Sequence, residues 1–131
     1  MTSDKSWERA LLCAQAALDK KAYDLLILQV AAFTSVADYF VISTGRSDVQ
    51  VQSICRAVEE ALAQIGIRPL AIEGFTHGQW VLMDFGDVVV HIFYETAREF
   101  YNLERLWAQA PQCSLPEPYS SQARHLRIAN A

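Results

Sequence analysis

Apolar and polar positions along this chain follow two periods, and each change of period marks a new element. Over residues 4–21, Trp7, Ala10, Leu11, Ala14, Ala17 and Leu18 recur at three- and four-residue spacing, which predicts an amphipathic helix. Ser3 or Asp4 is the expected cap, and Lys20 and Lys21 set positive charge in the last turn, where it complements the helix dipole. Residues 25–30 form a short apolar run read as a buried strand. Residues 31–36 connect it to a second strand over 38–44, and Gly45-Arg46-Ser47 is the turn that follows. Ser47 followed by Gln50 makes a capping box. It opens a second helix, in which Val51, Ile54, Cys55, Val58, Ala61, Leu62 and Ile65 draw one apolar stripe and Gly66 supplies the C′ residue. Residues 69–73 read as a third strand.

The stretch 79–94 changes to strand composition. Two apolar runs, 80–83 and 88–93, flank Asp84-Phe85-Gly86-Asp87, and Gly86 sits where a tight reversal needs positive φ. This predicts a β-hairpin at the heart of the sheet. The second run is apolar at nearly every position, so both its faces are expected to be covered. On the first run, alternation sets Trp80, Leu82 and Asp84 on one face and Val81, Met83 and Phe85 on the other. Trp80 and Phe85 beside Asp84 and Asp87 form a mixture that suits a binding surface better than a core. After Tyr94, Thr96 and Glu99 make a second capping box for a helical segment over 97–107, carrying Phe100, Tyr101, Leu103, Leu106 and Trp107. Pro111, Pro116 and Pro118 then break regular structure. The expected architecture is a single α/β domain over residues 1–110, with a mixed central sheet of about five strands flanked by helices, and an irregular tail over 111–131.

Composition narrows the function. A chain of 131 residues, 52% hydrophobic and 20% charged, has the make-up of an ordinary globular domain. Its net charge of −4 lacks the cationic excess that drives phosphate-backbone binding, so sequence-specific nucleic-acid binding is not expected. An acidic surface instead suits a basic protein partner. Cys13, Cys55 and Cys113 are an odd number without a C-x-x-C pair. That argues against a disulfide framework or structural zinc and fits a reducing cytoplasm. The apolar run 25–33 is too short to span a bilayer, and no signal peptide is expected, because Asp4, Glu8 and Arg9 interrupt the N-terminus.

Candidate chemistry is sparse. Asp84-Phe85-Gly86 spells the metal-binding triplet of protein kinases, but a Gly-rich phosphate loop and a catalytic-loop motif are missing from the sequence. Asp84 and Asp87 are favoured as solvated turn residues over metal ligands. Gly45-Arg46-Ser47 before a helix is a natural anion site, yet two-metal chemistry needs carboxylates on an adjacent strand, and the next acids, Glu59 and Glu60, lie in the helix. A small metal-dependent nucleotidyltransferase using Ser47, Asp84 and Asp87 is therefore the alternative reading, behind a non-catalytic binding protein. His91, in an apolar strand, is expected to be a hydrogen-bonded core residue. Glu99, Glu104 and Arg105 also fit a solvated helix face. An exposed aromatic patch would equally fit a homodimer of the free protein.

Four segments carry a family resemblance when taken together. They are residues 37–47, the Glu73-Gly74 pair, residues 80–91, and residues 98–107. In this order and spacing the chain resembles the ribosomal silencing factors, or Iojap-like proteins, over roughly residues 5–108. The resemblance implies a fold related to the nucleotidyltransferases without that activity, and neither a cofactor nor a metal is expected. It implies binding to large-subunit ribosomal protein L-fourteen, which would obstruct joining of the small subunit and reduce translation when nutrients are short. Carried onto this sequence, the docking surface would centre on Trp80, Phe85, Asp87 and Tyr101, with Asp84, Glu99 and Glu104 as acidic contributors. The chain departs from the family pattern at Gln29, Gln79, Phe85 and Tyr94, which removes two acidic positions and leaves the aromatic anchors.

Overall fold

The computed structural model of the protein describes residues 4–117; the Ser3 cap and the last fourteen residues of the expected tail lie outside them. In chain order the elements are α1 (Asp4–Asp19), β1 (Tyr23–Gln29), β2 (Tyr39–Gly45), α2 (Asp48–Ala63), β3 (Ala71–Glu73), β4 (Trp80–Asp84), β5 (Val88–Tyr94), α3 (Glu95–Tyr101), α4 (Leu103–Leu106) and β6 (Gln112–Cys113). The strands form one six-stranded mixed sheet in the order β3-β4-β5-β2-β1-β6. Only the central pair, β2 and β5, is parallel, and Tyr39 faces Val88 in its register. The sheet is one strand wider than expected because β6 pairs with β1 through Ile27 and Cys113.

Alternation sorts the strand residues into two cores. Ile27, Tyr39, Val41, Val81, Met83, Val88, Val90 and Ile92 point to one face, where the stripes of α1 and α2 close over them. Leu28, Phe40, Ile42, Val89 and Phe93 point to the other, packed against Ala97 of α3, Leu103 of α4 and Ala110. β5 is covered on both sides, as its unbroken apolar run requires. Helices α3 and α4 are short and lie over the β1-β2-β5 part of the second face. Among the described residues, Trp80, Leu82 and Asp84 of β4 stay half-buried on this face.

Local signals explain most boundaries. Ser47 Oγ accepts from the Gln50 amide at 3.0 Å, as a capping box requires. The return arm reaches one residue further than the motif: Gln50 Oε1 accepts from the Arg46 amide. Its Nε2 donates to the Lys20 and Lys21 carbonyls. Gln50 thus ties the start of α2 to the end of α1. Helix α1 ends before its two lysines, with Lys21 in the left-handed region at φ 67, where its amide and that of Ala22 bond back to Leu18 and Ala17. Ile65, expected on the α2 stripe, lies past the helix end and is 56% exposed.

The C-terminal helix differs most from expectation. Thr96 and Glu99 form no capping box, because the Tyr94 amide still donates to the Gln79 carbonyl and the chain turns from sheet into helix without a loop. Thr96 is already inside α3. The expected continuous helix is broken at Asn102, which takes φ 47 and separates α3 from α4; asparagine tolerates this conformation better than most residues.

Candidate functional site

The β4 side of the second sheet face carries Trp80, Leu82 and Asp84, all half-buried, as alternation on β4 demands. Glu73 is paired with Leu82 across β3 and so shares their face. Beneath Trp80 lies Phe93, fully buried, the two rings stacked at 5.0 Å. Tyr101, from the last turn of α3, leans on the same indole at 4.7 Å. Phe100 meets Tyr101 edge-on at 5.1 Å and is 81% exposed. The result is an aromatic shelf, Trp80-Tyr101-Phe100; Leu82 and Asp84 continue the same face along β4 with Glu73 across from Leu82, and Glu99 is exposed one residue before Phe100.

Polar contacts hold the shelf in place. The Trp80 indole Nε1 donates to Nδ1 of His91, the next strand's neighbour, at 3.1 Å. Burial pushes the His91 pKa down to about 4, so the imidazole is neutral near pH 7. Its Nε2 has no hydrogen-bond partner among the described residues. An orphaned buried donor costs about 1–3 kcal/mol. Phe40 meets the imidazole edge to face at 4.8 Å on its other side.

Arg98 anchors α3 to β1 and β2. It is 3% exposed, and its Nη1 donates to the Asp24 carbonyl at 2.6 Å and to Thr44 Oγ1 at 2.7 Å. Its Nε pairs with Glu104 at 3.2 Å. The Asp24 carbonyl is available because β1 bulges between Tyr23 and Leu26, with Asp24 at φ 51.

The residues expected to dock separate into two groups. Trp80 and Tyr101 make the shelf, Asp84 lies on the same face at the other end of β4 with Oδ1 accepting from the Gly86 amide, and Glu99 is exposed on α3. Phe85 does not join them. It is 7% exposed and belongs to the core under α1 and α2, because it keeps the parity of Val81 and Met83. Asp87 is also withdrawn: Arg9 Nη1 donates to its Oδ2 at 2.9 Å, and Ser6 Oγ lies at the same distance. It fastens α1 to the hairpin turn. Glu104 is occupied by Arg98. Phe100, Leu106 (78% exposed) and Glu73 are the surface residues that pattern reading missed. Phe100 and Leu106 fit a helix stripe, yet they fall on two separate short helices and both stand exposed.

The alternative catalytic set is not assembled. Ser47 follows the end of β2, whereas the Asp87 carbonyl bonds the amides of Asp38 and Tyr39 at its beginning. A strand of that length separates them by roughly 20 Å. Among the described residues no three or more His, Cys, Asp or Glu side chains gather as a metal site, and no helix is long and apolar enough to cross a membrane.

Fold and surface together define a small α/β domain with an open mixed sheet, whose most prominent exposed chemistry is an aromatic shelf edged with carboxylates. A family model described as ribosomal silencing factor during starvation matches residues 3–130. The chain belongs to the ribosomal silencing factor family. The ribosomal silencing factor RsfS of Bacillus subtilis is 46% identical over 104 residues, 79% of this chain and 88% of that protein. The chloroplastic protein Iojap of Arabidopsis thaliana is 35% identical over 116 residues, 88% of this chain and 48% of that protein. Among solved structures, a Chromobacterium violaceum protein matches with TM-score 0.77 and 32% identity over 87% of this chain and 96% of that one. A Bacillus halodurans protein matches with TM-score 0.72 and 38% identity over 79% and 94%.

Proposed function

We propose that this protein docks on ribosomal protein L-fourteen of the large subunit through the Trp80-Tyr101-Phe100 shelf and represses translation by blocking small-subunit joining when nutrients are scarce. The observation that carries the reading is the exposed aromatic cluster beside the half-buried face of β4 among the described residues. Trp80 and Tyr101 lie in mutual contact at 4.7 Å, where the end of α3 meets the half-buried face of β4. Rigid aromatics ringed by charge are the usual anchors of a protein interface. Glu73, Asp84 and Glu99 give the rim the sign that a basic ribosomal protein attracts, so the on-rate should fall as salt rises. Blocking by occupancy needs affinity and bulk and no bond chemistry, so the reading is of a non-enzyme. Membership of the ribosomal silencing factor family agrees with it.

The test is sedimentation of separated subunits with and without the protein. Subunits that join less in its presence support the reading, and joining unchanged at saturating protein overturns it. Recovery of joining on Trp80→Ala would tie the block to the shelf.

A further inference from the structure

We propose that His91 is the positioning residue for Trp80: its Nδ1 accepts the indole N–H and fixes which edge of that ring the docking shelf presents. The inference rests on the reading that the shelf docks, and it names what holds the shelf's central ring in register. Phe93 below and Tyr101 beside Trp80 make ring contacts at 5.0 and 4.7 Å. Such contacts hold a plane and say little about rotation within it, and a tryptophan χ2 has broad, roughly two-fold wells. A flipped indole would keep most of its apolar contact. Only its N–H is directional, and its acceptor is His91 Nδ1 at 3.1 Å.

The cost of keeping a histidine here points the same way. His91 is 4% exposed, between Phe40 on one side and Trp80 on the other. A phenylalanine would fill an apolar slot between aromatics and leave no orphaned donor. The imidazole instead leaves Nε2 without a partner among the described residues. What it adds over phenylalanine is a single lone pair, and that lone pair faces the indole. A neutral ring is required, since a protonated Nδ1 would be a donor facing a donor. Burial supplies that neutrality by holding the pKa near 4.

Nitrogen-15 NMR of the wild-type protein near pH 7 tests the bond directly. The expected result is a proton on His91 Nε2 and none on Nδ1, with the Trp80 indole proton slow to exchange; a proton on Nδ1 overturns the proposal. Large-subunit binding is then compared for His91→Phe, which keeps a ring and removes the acceptor, and His91→Asn, whose amide oxygen falls near the Nδ1 position. His91→Phe should unfold cooperatively, exchange its indole proton faster and bind about two- to tenfold more weakly, while His91→Asn should recover part of that loss. If His91→Phe does not fold, the wild-type tautomer and the Asn variant decide. Trp80→Ala runs alongside. Should it bind like wild type, the docking reading falls and the positioning role with it, whatever the NMR shows. Should it bind weakly while His91→Phe binds normally, only the positioning role falls.

Discussion

Gly74 lies directly against the backbone of Trp80. A Cβ built on it would stand 2.1 Å from the Trp80 carbonyl oxygen, and its φ is 82. The last residue of β3 thus leads into a glycine that lets the following loop pass close under the first residue of β4, at the inner edge of the shelf. Gly74→Ala combines steric overlap with backbone strain, and about 2 kcal/mol or more of stability should be lost. Urea denaturation measures it. An alanine variant as stable as wild type would mean that the loop can move away without consequence.

Phe85 and Phe100 should behave oppositely. Phe85, 7% exposed in the core, should cost about 3–5 kcal/mol of stability as Phe85→Ala. Phe100→Ser, at an 81% exposed site, should leave the unfolding midpoint nearly unchanged and weaken large-subunit binding. Trp80→Ala should weaken binding by about 2 kcal/mol or more. Denaturation and subunit co-sedimentation on the same samples separate the two effects.

Arg98 is the buried charge on which α3 depends. Arg98→Ala strands Glu104 and unsatisfies the Asp24 and Thr44 acceptors, so a loss of about 3–5 kcal/mol is expected. Glu104→Gln should cost roughly 1 kcal/mol, since that side chain is about a third exposed and its ion pair partly screened. Equal losses in the two variants, measured by urea midpoint, would contradict this ranking.

His91 gives stability a definite acid dependence. Its folded pKa, about 4, lies below the ordinary 6.5 because burial disfavours the charged ring. Between those values the unfolded chain binds the extra proton, so this contribution is complete above pH 6.5, declines as pH falls, and is gone near pH 4. A difference of that size corresponds to about 3 kcal/mol. The fall in unfolding free energy from pH 7 to pH 4.5 should therefore be shallower in His91→Phe than in wild type. Parallel curves for the two proteins would assign the acid sensitivity elsewhere.

How much of this was legible in the sequence depended on how far each residue's partners lie along the chain. The hairpin, with Gly86 at φ 91 in its turn, and the Ser47 cap of α2 are local features and could be read directly. Phe85 shares the inward parity of Val81 and Met83, and its burial removes it from the docking surface that the family resemblance implies. Arg98 passed unnoticed because its acceptors, at Asp24 and Thr44, are distant in sequence and one exists only through a strand bulge. β6 is two residues long, and only the adjacent edge of β1 makes it a strand. Half of the shelf is legible, Trp80 and Tyr101, whereas the break at Asn102 and the exposure of Phe100 and Leu106 depend on tertiary context.

The parallel pairing of β2 with β5 also governs how the molecule assembles. Tyr39 meets Val88 roughly fifty residues further on, so the middle of the sheet closes only after a long segment has been gathered in, a step slowed by chain entropy. The β4–β5 hairpin can form early by itself, but Tyr101 follows β5 and reaches Trp80 only when α3 folds back over that closed centre. A newly made chain therefore completes the aromatic shelf late, and a variant that delays the central closure should lack it for longer after synthesis even if its final structure were unchanged.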